Sequence, residues 1–189
     1  MKALLYTLTS ALIISASVNA AVIPEGTGII YGKDHVFSLK APKKWMLDNE
    51  SAAKQGVHAV FYKQGGSWEN STTVAYARAR PIDSEVKSIE DAVKYLIKDF
   101  KQNGNPNYAG KKVKTLKSES GNKGTIYHFS GDQWGNYEAV CYFKENKTIN
   151  MIILTGRNKK DFESSLKAFE SLCKSYLFIG EELKQTNKN

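Results

Sequence analysis

The sequence predicts an α+β fold: a single layered domain in which a mainly antiparallel β-sheet is flanked by helices. Three observations predict it. Residues 35–40, 57–63, 72–79 and 125–130 alternate apolar and polar side chains, as half-buried strands do. Residues 137–143 and 149–155 are apolar on both sides and read as central strands covered on both faces. Two further segments repeat apolar residues at helical spacing behind a capping residue.

The elements follow in order. Residues 1–20 read as a signal peptide: Lys2 near the start, an apolar core over residues 3–18, and the small-residue cleavage signature Val18-Asn19-Ala20. The short core and the polar Thr7, Thr9 and Ser10 argue against a membrane anchor, which needs about 20 apolar residues. The mature chain is expected to begin near Ala21, with no transmembrane segment, and to be secreted, or periplasmic in a bacterium. Residues 21–34 read as an N-terminal arm with a possible short strand at 28–31, followed by one domain over residues 35–180 and a polar, frayed tail at 181–189.

At the front of the domain Phe37 and Leu39 are strand positions facing the core. Pro42 ends that strand because it has no N–H for a ladder. Lys43 and Lys44 form a solvated turn, and Trp45 returns the chain to the core. Residues 64–71, with Trp68, join two strands, as do residues 131–135, with Trp134; Gly and Asn there tolerate the positive φ of tight turns. Residues 112–116 are a weaker strand candidate, because Val113 and Leu116 fall out of alternation.

The first helix starts at Ser88 with Asp91 three residues on, an acidic variant of the capping box. Ile89, Val93, Leu96 and Phe100 form its stripe, and Asn103-Gly104-Asn105-Pro106 stops it. The second starts near Asn158 with Asp161 in the same relation, and Phe162, Leu166, Phe169, Cys173 and Tyr176 form its stripe. Since the first helix is a crossover, the strands before and after it are expected to run parallel.

The chain carries 27 Lys and Arg against 19 Asp and Glu, a formal net charge of +8. Such a surface favours anionic partners, although solubility alone accounts for it equally well, because the lysines are spread without a dense block. Export and the lack of a nucleic-acid-binding motif disfavour nucleic acid. His35, His58 and His128 are isolated, no cluster has zinc spacing, and no G-x-S-x-G elbow singles out a serine. No catalytic residue, metal or cofactor is therefore expected. Cys141 and Cys173 lack C-x-x-C spacing; they are either a structural disulfide permitted by an oxidising compartment or two buried thiols.

Tracing the strands up and down places loop 64–71, loop 131–135 and the start of the last helix at one end of the sheet. Trp68, Trp134, Arg157, Lys159 and Lys160 are expected there, and such an end can hold an anion or an acidic ligand. Cations at a helix N-terminus oppose the macrodipole, and Asp161 partly offsets them.

This order of elements, with particular residues, resembles the PsbP-like family. The matching residues are Phe37, Leu39, Pro42 and Trp45, as F-x-L-x-x-P-x-x-W; Ser88-Ile89-Glu90-Asp91 at the helix start; Tyr127, Phe129, Tyr142 and Phe143 on the late strands; and Ile153-Leu154-Thr155 leading to Phe162, Phe169 and Ser175-Tyr176. The family includes a photosystem II accessory protein, a nuclear Ran-binding relative and many secreted bacterial proteins. The resemblance implies a twisted, mainly antiparallel sheet between helices and a role in binding or as an accessory, with no catalytic site. The leading expectation is a secreted, non-enzymatic binding or accessory protein whose partner is a protein or an anionic ligand. An inhibitor or immunity-type protein that neutralises an effector is the first alternative, and a small enzyme the second.

Overall fold

The structure, a computed structural model, describes residues 24–182. The expected signal peptide and all but the first two residues of the polar tail lie outside the described residues. The chain runs β1 (Thr27–Gly32), β2 (His35–Lys40), β3 (Trp45–Asp48), α1 (Asn49–Lys54), β4 (Val60–Lys63), β5 (Thr73–Pro81), α2 (Ile89–Gln102), β6 (Ala109–Lys117), β7 (Lys123–Ser130), β8 (Tyr137–Lys144), β9 (Thr148–Gly156), α3 (Lys159–Lys174) and β10 (Leu177–Gly180).

These strands make a seven-stranded sheet in the order β3-β4-β5-β9-β8-β7-β6 and a three-stranded sheet in the order β1-β2-β10. Every hydrogen-bonded pair among the described residues is antiparallel. The crossover helix α2 does leave β5 and β6 running the same way. They are not partners, however, because β9, β8 and β7 stand between them. Helices α1 and α2 cover one face of the large sheet. Helix α3 and the small sheet cover the other.

The α3 face holds the larger core. Phe37 and Leu39 from β2 meet Phe61, Ile152, Leu154, Phe143, Phe169 and Leu172, all 0–1% exposed, and Trp45 joins them as the sequence implies. Ala75 and Ala77 on β5 and Gly156 at the end of β9 let α3 approach closely; a Cβ on Gly156 would stand 2.7 Å from Phe162 Cβ. On the opposite face Ala92, Val93 and Phe100 of α2 pack on Tyr127, Phe129, Tyr142 and Ile153.

Both helix caps read from sequence are in place. The Ser88 hydroxyl accepts from Asp91 N at 3.1 Å, and Asn158 Oδ1 accepts from Asp161 N at 2.9 Å. The weak strand candidate is the nine-residue β6. Its ladder with β7 slips between Lys112 and Lys114, so Val113 sits in a bulge and is exposed. That bulge is why the alternation fails there.

Three short elements lie beyond the sequence expectation. Asp48 ends β3 and caps α1, accepting from Ser51 N at 2.9 Å, and Tyr62 donates to its other oxygen at 2.5 Å. Burial and this bond to Asp48 push Tyr62 up to about 12, while the Ser51 and Tyr62 bonds hold Asp48 below the usual carboxylate range. The third, β10, adds to the free edge of β2 soon after α3, while β1, in the expected N-terminal arm, pairs with the other edge of β2, so that the arm is part of a second sheet.

Candidate functional site

One row of paired residues marks the end of the large sheet: Thr73 opposite Gly156, Gly156 opposite Tyr137, Tyr137 opposite Ser130, and Ser130 opposite Ala109. Loop 64–71, loop 131–135 and the start of α3 leave the sheet at this row. Each is tied down by polar contacts. Ser67 N donates to Asn70 Oδ1 at 2.7 Å and closes the first loop on itself. Arg157 fastens that loop to the β9–α3 junction: its N–H donates to Thr72 O at 3.0 Å and its Nη2 to Glu69 O at 2.9 Å. Asn105, only 4% exposed, donates to the Phe100 and Asn103 carbonyls at the end of α2 and accepts from Gln133 N at 2.7 Å. The second loop is thereby attached to the end of α2.

The two loop tryptophans take different positions. Trp68 folds back and meets Tyr76 edge to face, with centroids 6.4 Å apart. Trp134 projects outward, 68% exposed. The three cations straddle the sheet end. Arg157 faces the α1/α2 side, where it lines a cleft with Trp68. Lys159 lines a hollow on the α3 side with His128, Tyr137 and Phe162, and reaches Glu163 at 3.9 Å. Lys160 is exposed beside Asp161. The helix's own cap takes up part of the backbone N–H groups at the start of α3. There Asn158 Nδ2 also donates to the Asp161 carboxylate at 2.8 Å, and burial opposes but does not cancel the lowering of that carboxyl by Asn158.

The cleft holding Trp68 and Arg157 has a volume of about 370 Å³ and lies on the α1/α2 face of the large sheet, bordered by Gln55 and Val57 just after α1. Its floor is the sheet itself: Val74, Tyr76 and Arg78 from β5, Thr155 from β9 and Glu138 from β8. Glu138 stands beside the five buried residues Ala139 to Phe143 of β8. Tyr108, stacked between Phe100 and Phe129, donates to its Oε2 at 2.7 Å, and Thr155 donates to its Oε1 at 3.2 Å.

Burial raises the Glu138 carboxyl above the usual carboxylate range, although these two hydroxyls pull the other way. A folded-state pKa above the unfolded one contributes stability at low pH, and that contribution is lost as pH rises through the folded value. Glu138→Gln is therefore expected to gain stability relative to wild type on going from the carboxylate range to neutrality. Urea midpoints measured across that interval check this, and parallel curves for the two proteins would count against it.

Sequence reasoning missed Arg78 and Glu138. A signal was present for the second: a glutamate inside a strand read as covered on both faces must be a buried carboxyl. Cys141 and Cys173 are two buried thiols in the α3-side core, each 0% exposed, and burial, followed by the neighbouring Cys141, pushes the Cys173 thiol up. Among the described residues no group of three or more His, Cys, Asp or Glu could hold a metal ion, and no helix is long and apolar enough to cross a membrane.

A seven-stranded antiparallel sheet with α3 and a small sheet on one face and α1 and α2 on the other defines an α+β sandwich. No family model and no curated protein matches the chain. Solved structures do. The cyanobacterial PsbP (CyanoP) of Synechocystis aligns with a TM-score of 0.51 at 12% identity, over 84% of this chain and 95% of its own. The Ran-binding protein Mog1p of Saccharomyces cerevisiae aligns at 0.47 and 8% identity, over 76% of this chain and 90% of its own. LpqN of Mycobacterium tuberculosis, involved in cell envelope biogenesis, aligns at 0.49 and 9%, over 80% and 90%. The chain has the PsbP-like fold.

Proposed function

We propose that this chain is an exported, non-enzymatic binding or accessory protein that holds an anionic partner at the sheet end carrying Trp68, Trp134, Arg157, Lys159 and Lys160. The observation that supports it is the convergence of three tethered segments at that end, with one tryptophan projecting and three cations distributed over the two sides of the same end. An exposed tryptophan supplies contact area at little entropic cost, and the cations steer an acidic surface toward it. The likeness to CyanoP supports the fold on which this reading is built and does not by itself assign a role.

Replacing Arg157, Lys159 and Lys160 together by serine is expected to weaken binding to immobilised heparin or to anionic vesicles. The same change at Lys94, Lys98 and Lys101 on α2 removes equal charge and is expected to weaken it much less. Retention and vesicle co-sedimentation at two salt concentrations measure this. Equal losses from the two triple variants would refer the binding to net charge alone and remove the site.

A further inference from the structure

The sequence holds only three arginines among its 27 basic residues, and two of them, Arg78 and Arg157, line the cleft beside the end of α1. The third, Arg80, lies over the Tyr95 ring at 3.9 Å and reaches Asp83 at 3.6 Å. Arg78 and Arg157 form no ion pair among the described residues. Arg78 has its guanidinium 5.6 Å from the Tyr76 ring centroid, and Arg157 spends one nitrogen on the Glu69 carbonyl. Guanidinium groups present a planar fork that matches a carboxylate, which the ammonium of lysine does not. The chain thus places arginine, and not its common lysine, at this cleft.

The remaining walls narrow the ligand. Trp68 and Tyr76 meet at an interplanar angle of 72° and make an aromatic corner. Glu138 and Thr155 on the floor and Asn136 at the side offer donors and acceptors beside that corner. Glu138 is already oriented by Tyr108, so it presents a fixed carboxyl to a hydroxyl group. A volume of about 370 Å³ suits one small ring. We propose that the cleft binds a carboxylated sugar of the hexuronate class. Its carboxylate pairs with Arg78, one face of its ring lies on the aromatic corner, and a hydroxyl meets Glu138. This goes beyond the anionic-partner reading, since the floor residues take no part in that surface.

The test uses sodium D-glucuronate as probe, followed by ¹H–¹⁵N NMR of the folded chain at millimolar ligand. The amides of Val74, Tyr76, Glu138 and Thr155 are expected to shift and to saturate. Arg78→Gln alters an exposed side chain and is expected to fold; its affinity should fall about tenfold or more, as for loss of a charge-assisted pair. Glu138→Gln keeps the floor's shape and should weaken binding less. The Lys159→Ser, Lys160→Ser double variant should bind glucuronate unchanged, which separates this site from the outer surface. No shift at the floor amides would overturn the proposal. So would equal shifts with glucose or inorganic phosphate, or unchanged affinity in folded Arg78→Gln.

Discussion

Replacing Tyr176 by alanine is expected to destabilise the protein by about 3–5 kcal/mol, the range for truncating a buried aromatic residue. Tyr176 follows α3, is 0% exposed and joins three elements. Its ring stacks on Phe143 of β8 with centroids 3.9 Å apart and tilts against Phe37 of β2 at 5.3 Å. Its hydroxyl accepts from Asn150 Nδ2 at 2.8 Å and donates to Glu145 Oε1 at 2.9 Å. The large sheet, the small sheet and the end of α3 therefore share one side chain. Tyr176→Phe keeps the stack and removes the hydroxyl, leaving the fully buried Asn150 amide without that partner. About 1–3 kcal/mol is expected for it. Urea unfolding measures both, and an alanine variant within about 1 kcal/mol of wild type would contradict the packing described.

The second large effect concerns Cys141 and Cys173. In protein matured where disulfides form, the two are expected to be joined. Each thiol gives up a hydrogen, and the electron pair passes to a disulfide oxidant of that compartment. The closed loop then ties central strand β8 to α3 and contributes about 3–4 kcal/mol in the chain-entropy estimate. Exported protein should show no titratable thiol after unfolding without reductant, and reductant should lower its unfolding midpoint. Cytosolic protein should show two thiols and match the reduced form. Two free thiols in the exported protein would establish the pair as core hydrophobes.

Much of the fold was legible because its signals are local. Ser88 and Asn158 announce helices within four residues, and Pro42 and Trp45 mark a strand end and its return. The elements that escaped are short. The four-residue strands β3 and β10 and the six-residue α1 carry too few side chains for a period, and their pairing depends on partners far along the chain. Leu177-Phe178-Ile179 follows α3 directly and became a strand only because β2 offers an edge.

At the candidate site, strand direction alone placed Trp68, Trp134 and the start of α3 at one end. Direction does not say which side of the sheet a residue occupies. Arg157 and Lys159 therefore read as neighbours, although they lie on opposite sides. Arg78 was hidden as an ordinary polar position of an alternating strand and Glu138 as an acid in a strand read as apolar, and only the sheet order β5-β9-β8 brings them into one cleft.

The central claim is that a partner is held at the tryptophan-bearing end. A photo-crosslinking residue placed at Trp134, in cells that export the protein, tests it most directly. The predicted result is a discrete adduct from position 134, absent from a crosslinker at Lys98 and lost when Arg157, Lys159 and Lys160 are serine. An adduct that forms from Lys98 but not from position 134, or one that persists undiminished in the serine variant, would contradict it.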